Sequence, residues 1–156
     1  TIYFHYPSKR ELFYSILTLG KIEYQKAILK AVECNANCKN IQDQLKKMYF
    51  VPIEFYISNK ELYKFLFKIF LYPPGCLKDD VINAYMEWNS LIYIQLFAIF
   101  DEGIRENLFS GYNVDELIEA YYRSVRGYLL HHIMDDTLPT GQEMEKVWRA
   151  FWKGIS

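Results

Sequence analysis

Apolar residues recur along this chain at helical spacing. Val114, Leu117, Ile118, Tyr121, Tyr122, Val125, Tyr128, Leu129 and Ile133 form one continuous stripe. Met144, Val147, Trp148, Phe151, Trp152 and Ile155 form another of the same period. Leu12, Phe13, Ile16, Leu17 and Leu19, then Tyr24, Ala27, Ile28 and Ala31, mark a long first helix with Gly20 in its middle. A mid-helix glycine costs about 1 kcal/mol relative to alanine, so Gly20 implies a bend or close packing. The run from Leu91 to Phe100 is apolar almost all round and predicts a central helix buried on most sides.

Polar punctuation separates these stripes. Ser8-Lys9-Arg10-Glu11, Ser58-Asn59-Lys60-Glu61 and Thr140-Gly141-Gln142-Glu143 fit the capping box, in which a hydroxyl accepts from a backbone N–H and the glutamate reaches back. Asn113-Val114-Asp115-Glu116 is a variant with asparagine as the cap. Breaks fall at residues 35–40, near Ser58, at 72–75, at 110–113 and at 135–139. The pattern predicts an all-α fold of six helices, at about 8–33, 40–57, 59–71, 78–109, 113–134 and 141–154. No strand pattern, repeat or low-complexity linker interrupts it.

Composition narrows the class. The 156 residues are enough for one domain, which at this size buries roughly 70% of its unfolded surface without disulfide or metal. Eighteen Lys+Arg against nineteen Asp+Glu leave a net charge of −1, unlike the basic excess of a nucleic-acid-binding surface. Three cysteines, Cys34, Cys38 and Cys76, have no framework spacing and favour a reduced, cytoplasmic setting. The longest apolar stretch is far shorter than the roughly 20 residues of a membrane span, and no signal peptide is apparent. The aromatic fraction, 18%, has two readings: core filling with tyrosine hydroxyls reaching water at the margin, or a ligand pocket with mostly apolar walls.

The opening residues carry the most specific pattern. Thr1-Ile2-Tyr3-Phe4-His5-Tyr6-Pro7-Ser8-Lys9-Arg10-Glu11-Leu12-Phe13 resembles the end of the DNA-binding region in tetracycline-repressor (TetR) family regulators. There a recognition helix ends in a hydroxyl or small residue, an aliphatic, Tyr and aromatic or His positions, and Lys-x-Glu-Leu opens a connecting helix. The resemblance implies that residues 1–7 are the remnant of a recognition helix and 8–156 a ligand-binding and dimerisation domain. It implies DNA contacts, in the intact protein, from Thr1, Tyr3, Phe4, His5 and Lys9, whose hydroxyls, ring N–H and ammonium suit phosphate oxygens. The chain opens inside an element and lacks the two supporting helices of the DNA-binding head, so this fragment is not expected to bind DNA by itself.

The resemblance also implies a homodimer, operator DNA as a partner of the intact protein, and a small hydrophobic or aromatic ligand inside the helical body. Phe65, Tyr85, Trp88, Asn89, Ile92, Gln95, Tyr121 and Tyr122 are the pocket candidates, with Phe67 a further one. Asn89 and Gln95 stand out because unpartnered amides are costly in apolar surroundings. Ala120, Ser124, Gly127 and His131 form a small-residue stripe that permits close helix crossing. With Trp148, Phe151 and Trp152 they form the expected dimer interface, where more apolar face exists than one chain is expected to cover. Arg123 and Arg126 fall at the rim of that contact.

Other chemistry has thinner support. Cys34 and Cys38 have no third ligand nearby, and His131-His132 with Asp135-Asp136 fits a helix C-terminus better than a metal or acid–base cluster. No metal, cofactor or catalytic residue is expected, and no HExxH, P-loop, GxGxxG or nucleophile elbow supports an enzyme. The alternative function is a helical carrier or sensor of hydrophobic molecules with no DNA role.

Overall fold

The computed structural model describes residues 8–36, 38 and 40–156. Within them the protein is all-α, with six helices and no strand. These are α1 (Lys9–Asn35), α2 (Ile41–Ser58), α3 (Lys60–Leu71), α4 (Lys78–Arg105), α5 (Val114–Asp135) and α6 (Gly141–Ile155), with a short 3-10 turn at Gly75–Leu77 before α4.

Caps set most of the starts. Asn113 and Thr140 form complete capping boxes with Glu116 and Glu143, and Ser8 Oγ accepts from the Glu11 N–H. Asn40 does the same for Asp43 at the head of α2. Two expected boundaries move. Ser58 is no cap: α2 runs through it, and a single residue, Asn59, separates α2 from α3 while its side-chain amide donates to Phe55 O. The fourth helix ends at Arg105 and not near 109. Asn107 turns left-handed (φ 61°), the Leu108 N–H returns to Gly103 O and the Asn107 N–H to Ile104 O, which is a Schellman closure. Phe109 then folds back onto Gly103, where no side chain would fit.

The central helix is α2, not α4 as the Leu91 to Phe100 run suggests. All five other helices touch it, and Leu45, Met48, Tyr49, Ile53 and Tyr56 are fully buried. Pro52 lies inside this helix and has no N–H for the Met48 carbonyl four residues back. The Tyr121 hydroxyl of α5 supplies the missing donor at 2.9 Å, so an aromatic core residue also completes a helix hydrogen bond. By contrast, α4 keeps an apolar face outside: Met86 is 66% exposed and Ile94 59%, with Tyr93 and Phe97 beside them.

Gly20 of α1 lies against α3 and α4. A Cβ there would stand 2.6 Å from Trp88 and 2.8 Å from Leu66, so close approach, one of its two expected roles, explains the glycine.

Candidate functional site

Four helices leave a cavity of about 480 Å³ between them. From α3 come Tyr63, Leu66, Phe67 and Phe70, at the i, i+3, i+4, i+7 spacing that puts them on one helix face. Tyr85, Trp88 and Asn89 of α4 form a second wall, Tyr24 of α1 a third, and Arg126, Gly127 and Leu130 of α5 a fourth. The walls hold one another in place. Tyr24 stacks on Trp88 at 5.5 Å and Tyr63 on Phe67 at 6.1 Å, while Phe70 meets Tyr85 and Trp88 edge-on at 5.2 and 5.8 Å. Such aromatic pairs are worth about 0.5–1.5 kcal/mol each beyond the area they bury.

The polar groups in these walls are mostly donors. Burial pushes the Tyr24 and Tyr63 hydroxyls well above the ordinary phenol pKa, so both remain protonated. The indole N–H of Trp88 is buried with no hydrogen-bond partner, as is the hydroxyl of neighbouring Tyr122. Asn89 spends its amide N–H on Tyr85 O at 2.8 Å. Arg126 lies over the rings of Tyr122 (4.8 Å) and Tyr85 (5.3 Å), and desolvation lowers its pKa from the usual guanidinium value. A concave, aromatic, mostly apolar site with a few oriented donors is suited to binding a small organic molecule.

Of the pocket residues expected from sequence, Tyr85, Trp88, Asn89 and Phe67 line the cavity. Tyr122 stands just behind it, beneath Arg126. The rest lie elsewhere. Phe65 is on the opposite face of α3, exposed and against Phe13 at 6.5 Å, because it falls two positions from Tyr63 and Phe67. Ile92 and Tyr121 are fully buried core residues, and Gln95, half-buried, does not line the cavity. Sequence reasoning missed Tyr24, Tyr63, Leu66, Phe70, Leu71, Arg126, Gly127 and Leu130. The Tyr63-Leu66-Phe67-Phe70 spacing was the available signal for α3.

The expected dimer residues divide. Trp148 and Phe151 are buried within the chain, against Tyr49 of α2 at 5.4 and 4.9 Å. Trp152 is half-buried against Phe109 and Trp148. One chain therefore does cover the apolar face of α6, which corrects the premise for placing these three in an interface. Ser124 bonds the Tyr49 hydroxyl at 2.6 Å, Ala120 is half-buried, Gly127 lines the cavity, and His131 is exposed beside Asp135. Arg123 pairs with Glu119 on the surface, and Arg126, also exposed, lines the cavity.

The adjacent histidines point apart. His132 is buried and shares a hydrogen bond with Thr137 through Nδ1 at 2.8 Å, while His131 faces outward. Among the described residues no three His, Cys, Asp or Glu side chains converge, and no helix is long and apolar enough to cross a membrane. Thr1, Tyr3, Phe4 and His5 lie outside the described residues. Lys9 is exposed in the first turn of α1.

Fold and cavity together define a helical body packed on α2, with an aromatic-walled cavity to one side among α1, α3, α4 and α5. The sequence matches no protein-family model, and no curated protein is significantly similar to it.

Proposed function

We propose that this chain is the ligand-sensing body of a TetR-like transcriptional regulator, most simply a repressor, that works in the cytoplasm as a homodimer. The observation that carries the reading is the position of the cavity. It is bounded by α1 through Tyr24, and α1 is the helix that continues directly from the recognition-helix pattern at residues 1–13. A ligand between α1 and the α3–α5 walls changes the tilt of α1 and with it the spacing of two DNA-binding heads.

Lys9 supports this reading. A cation in the first turn opposes the helix dipole by a few tenths of a kcal/mol, a cost that a phosphate partner reverses. The exposed apolar face of α4, with Met86, Tyr93, Ile94 and Phe97, is where a second copy would gain most burial.

The test uses the intact protein, with the helices that the resemblance places before Thr1, and DNA from its own promoter in a mobility-shift assay. The expected result is a specific complex that Lys9→Ala weakens several-fold, by a factor that shrinks as salt rises because one phosphate contact fewer is made. Absence of specific DNA binding would favour a carrier of hydrophobic molecules.

A further inference from the structure

We infer that the cavity selects an organic anion: a flat aromatic body seated among Tyr63, Phe67, Phe70 and Trp88, with its carboxylate or sulfonate on Arg126. This deepens the reading of the cavity as a ligand site and rests on it.

Among the described residues Arg126 has no acidic partner. Its neighbours at helical ion-pair spacing on α5 are Tyr122, Arg123, Leu129 and Leu130. Acids elsewhere on α4 and α5 have other partners: Glu119 pairs with Arg123 and Glu87 with Lys21 at 2.5 Å. Among the described residues no carboxylate lies within ion-pair distance of Arg126, and its guanidinium donates no hydrogen bond. Stacking on Tyr85 and Tyr122 fixes the plane of the group but consumes none of its N–H donors, which lie at its edge. Arg126 is exposed at the mouth of the cavity, so its charge stays hydrated and within reach of an entering anion while the rings hold its orientation.

The other polar groups agree in sign. The Tyr24 and Tyr63 hydroxyls make no hydrogen bond within the described residues, whereas the unpartnered N–H of Trp88 is closed off from solvent. The exception is the side-chain carbonyl of Asn89. No acidic side chain lines the cavity, so a cationic ligand would meet the Arg126 charge with no carboxylate to offset it, and a neutral one would leave that charge without a counter-charge.

Two fluorescent dyes test this directly. Anilinonaphthalene sulfonate is anionic, and N-phenylnaphthylamine has the same ring body without the sulfonate. The expected result is that the purified chain binds the sulfonate roughly tenfold more tightly than the neutral dye, the scale of one charge-assisted contact. Arg126→Gln should erase that preference while leaving the neutral dye bound, Arg126→Lys should restore part of it, and Gly127→Trp should weaken both dyes by filling the mouth. A Cβ at Gly127 meets nothing within 4 Å, so that variant tests the site without disturbing the core. Equal affinity for the two dyes, or sulfonate binding unchanged in Arg126→Gln, would overturn the anion preference and leave the cavity as a neutral-ligand site. Failure of both dyes to bind, or binding of both untouched by Gly127→Trp, would overturn the cavity as a ligand site as well.

Discussion

Tyr121 shows how one side chain serves two purposes here. Its ring fills the core against Tyr49 and Tyr122, and its hydroxyl caps the carbonyl that Pro52 leaves without a donor. Tyr121→Phe should therefore cost about 1–3 kcal/mol, the scale of an unsatisfied buried carbonyl. Pro52→Ala, which returns an N–H to Met48 O, should recover most of that loss when combined with it. Urea unfolding of the single and double variants measures the coupling, and strict additivity would show that the hydroxyl is not replacing the proline's donor. Gly20 makes a similar point about space. Gly20→Ala gains about 1 kcal/mol of helix propensity and forces a methyl into the Trp88 ring, a type of overpacking that costs about 1–3 kcal/mol. A lower melting temperature is the expected net result.

At the scale of elements, the corner between α5 and α6 is strapped to α3. Asp136 closes α5 in the left-handed region (φ 56°), its carbonyl accepts from Lys60 at 2.8 Å, and its carboxylate bonds Lys64 at 2.7 Å. The two lysines hold the Asp136 pKa down at about 2, below the ordinary carboxylate value. A depressed folded pKa stabilises the protein above the unfolded value near 4 and loses that contribution as pH falls towards 2. Asp136→Asn keeps a residue that tolerates the left-handed turn and removes the charge. Its melting temperature should lie below that of the wild type at neutral pH, and the gap should close between about pH 4 and pH 2.

Helix identity and most helix starts were readable from the chain, because Asn113, Thr140 and Ser8 cap through local contacts that sequence spacing expresses. The end of α4 was not. Ile104, Leu108 and Phe109 continue an apolar pattern after the backbone has turned back, and the turn depends on Asn107 and on the empty side of Gly103. The site was readable on α4, where Tyr85, Trp88 and Asn89 share a face. It was misread on α3, where Phe65 and Phe67 look alike in sequence but point to opposite sides. In sequence Arg126 reads, with Arg123, as the rim of a dimer contact, because an arginine on a helix looks like surface until the aromatic rings beneath it are known.

For the whole molecule, the decisive arrangement is that α2 occupies the centre and draws α6 onto itself through Tyr49. The α6 tryptophans, apparent candidates for a partner, are thus already in use. Apolar residues stay uncovered on the outer face of α4, at Met86, Tyr93, Ile94 and Phe97, and on α1 at Leu19, Ile22 and Leu29. Light scattering at micromolar concentration should show a dimer, and Ile94→Glu with Phe97→Glu should convert it to a monomer with an unchanged helical spectrum. A wild-type monomer would remove the homodimer from the proposal without touching the cavity. The cavity itself carries the central claim, that this helical body holds a ligand where α1 can respond to it. The most direct measurement is a crystal structure of the chain with anilinonaphthalene sulfonate. The account predicts the dye between α1, α3, α4 and α5, with its sulfonate on Arg126. A dye seated elsewhere on the molecule, with these walls unchanged, would contradict it.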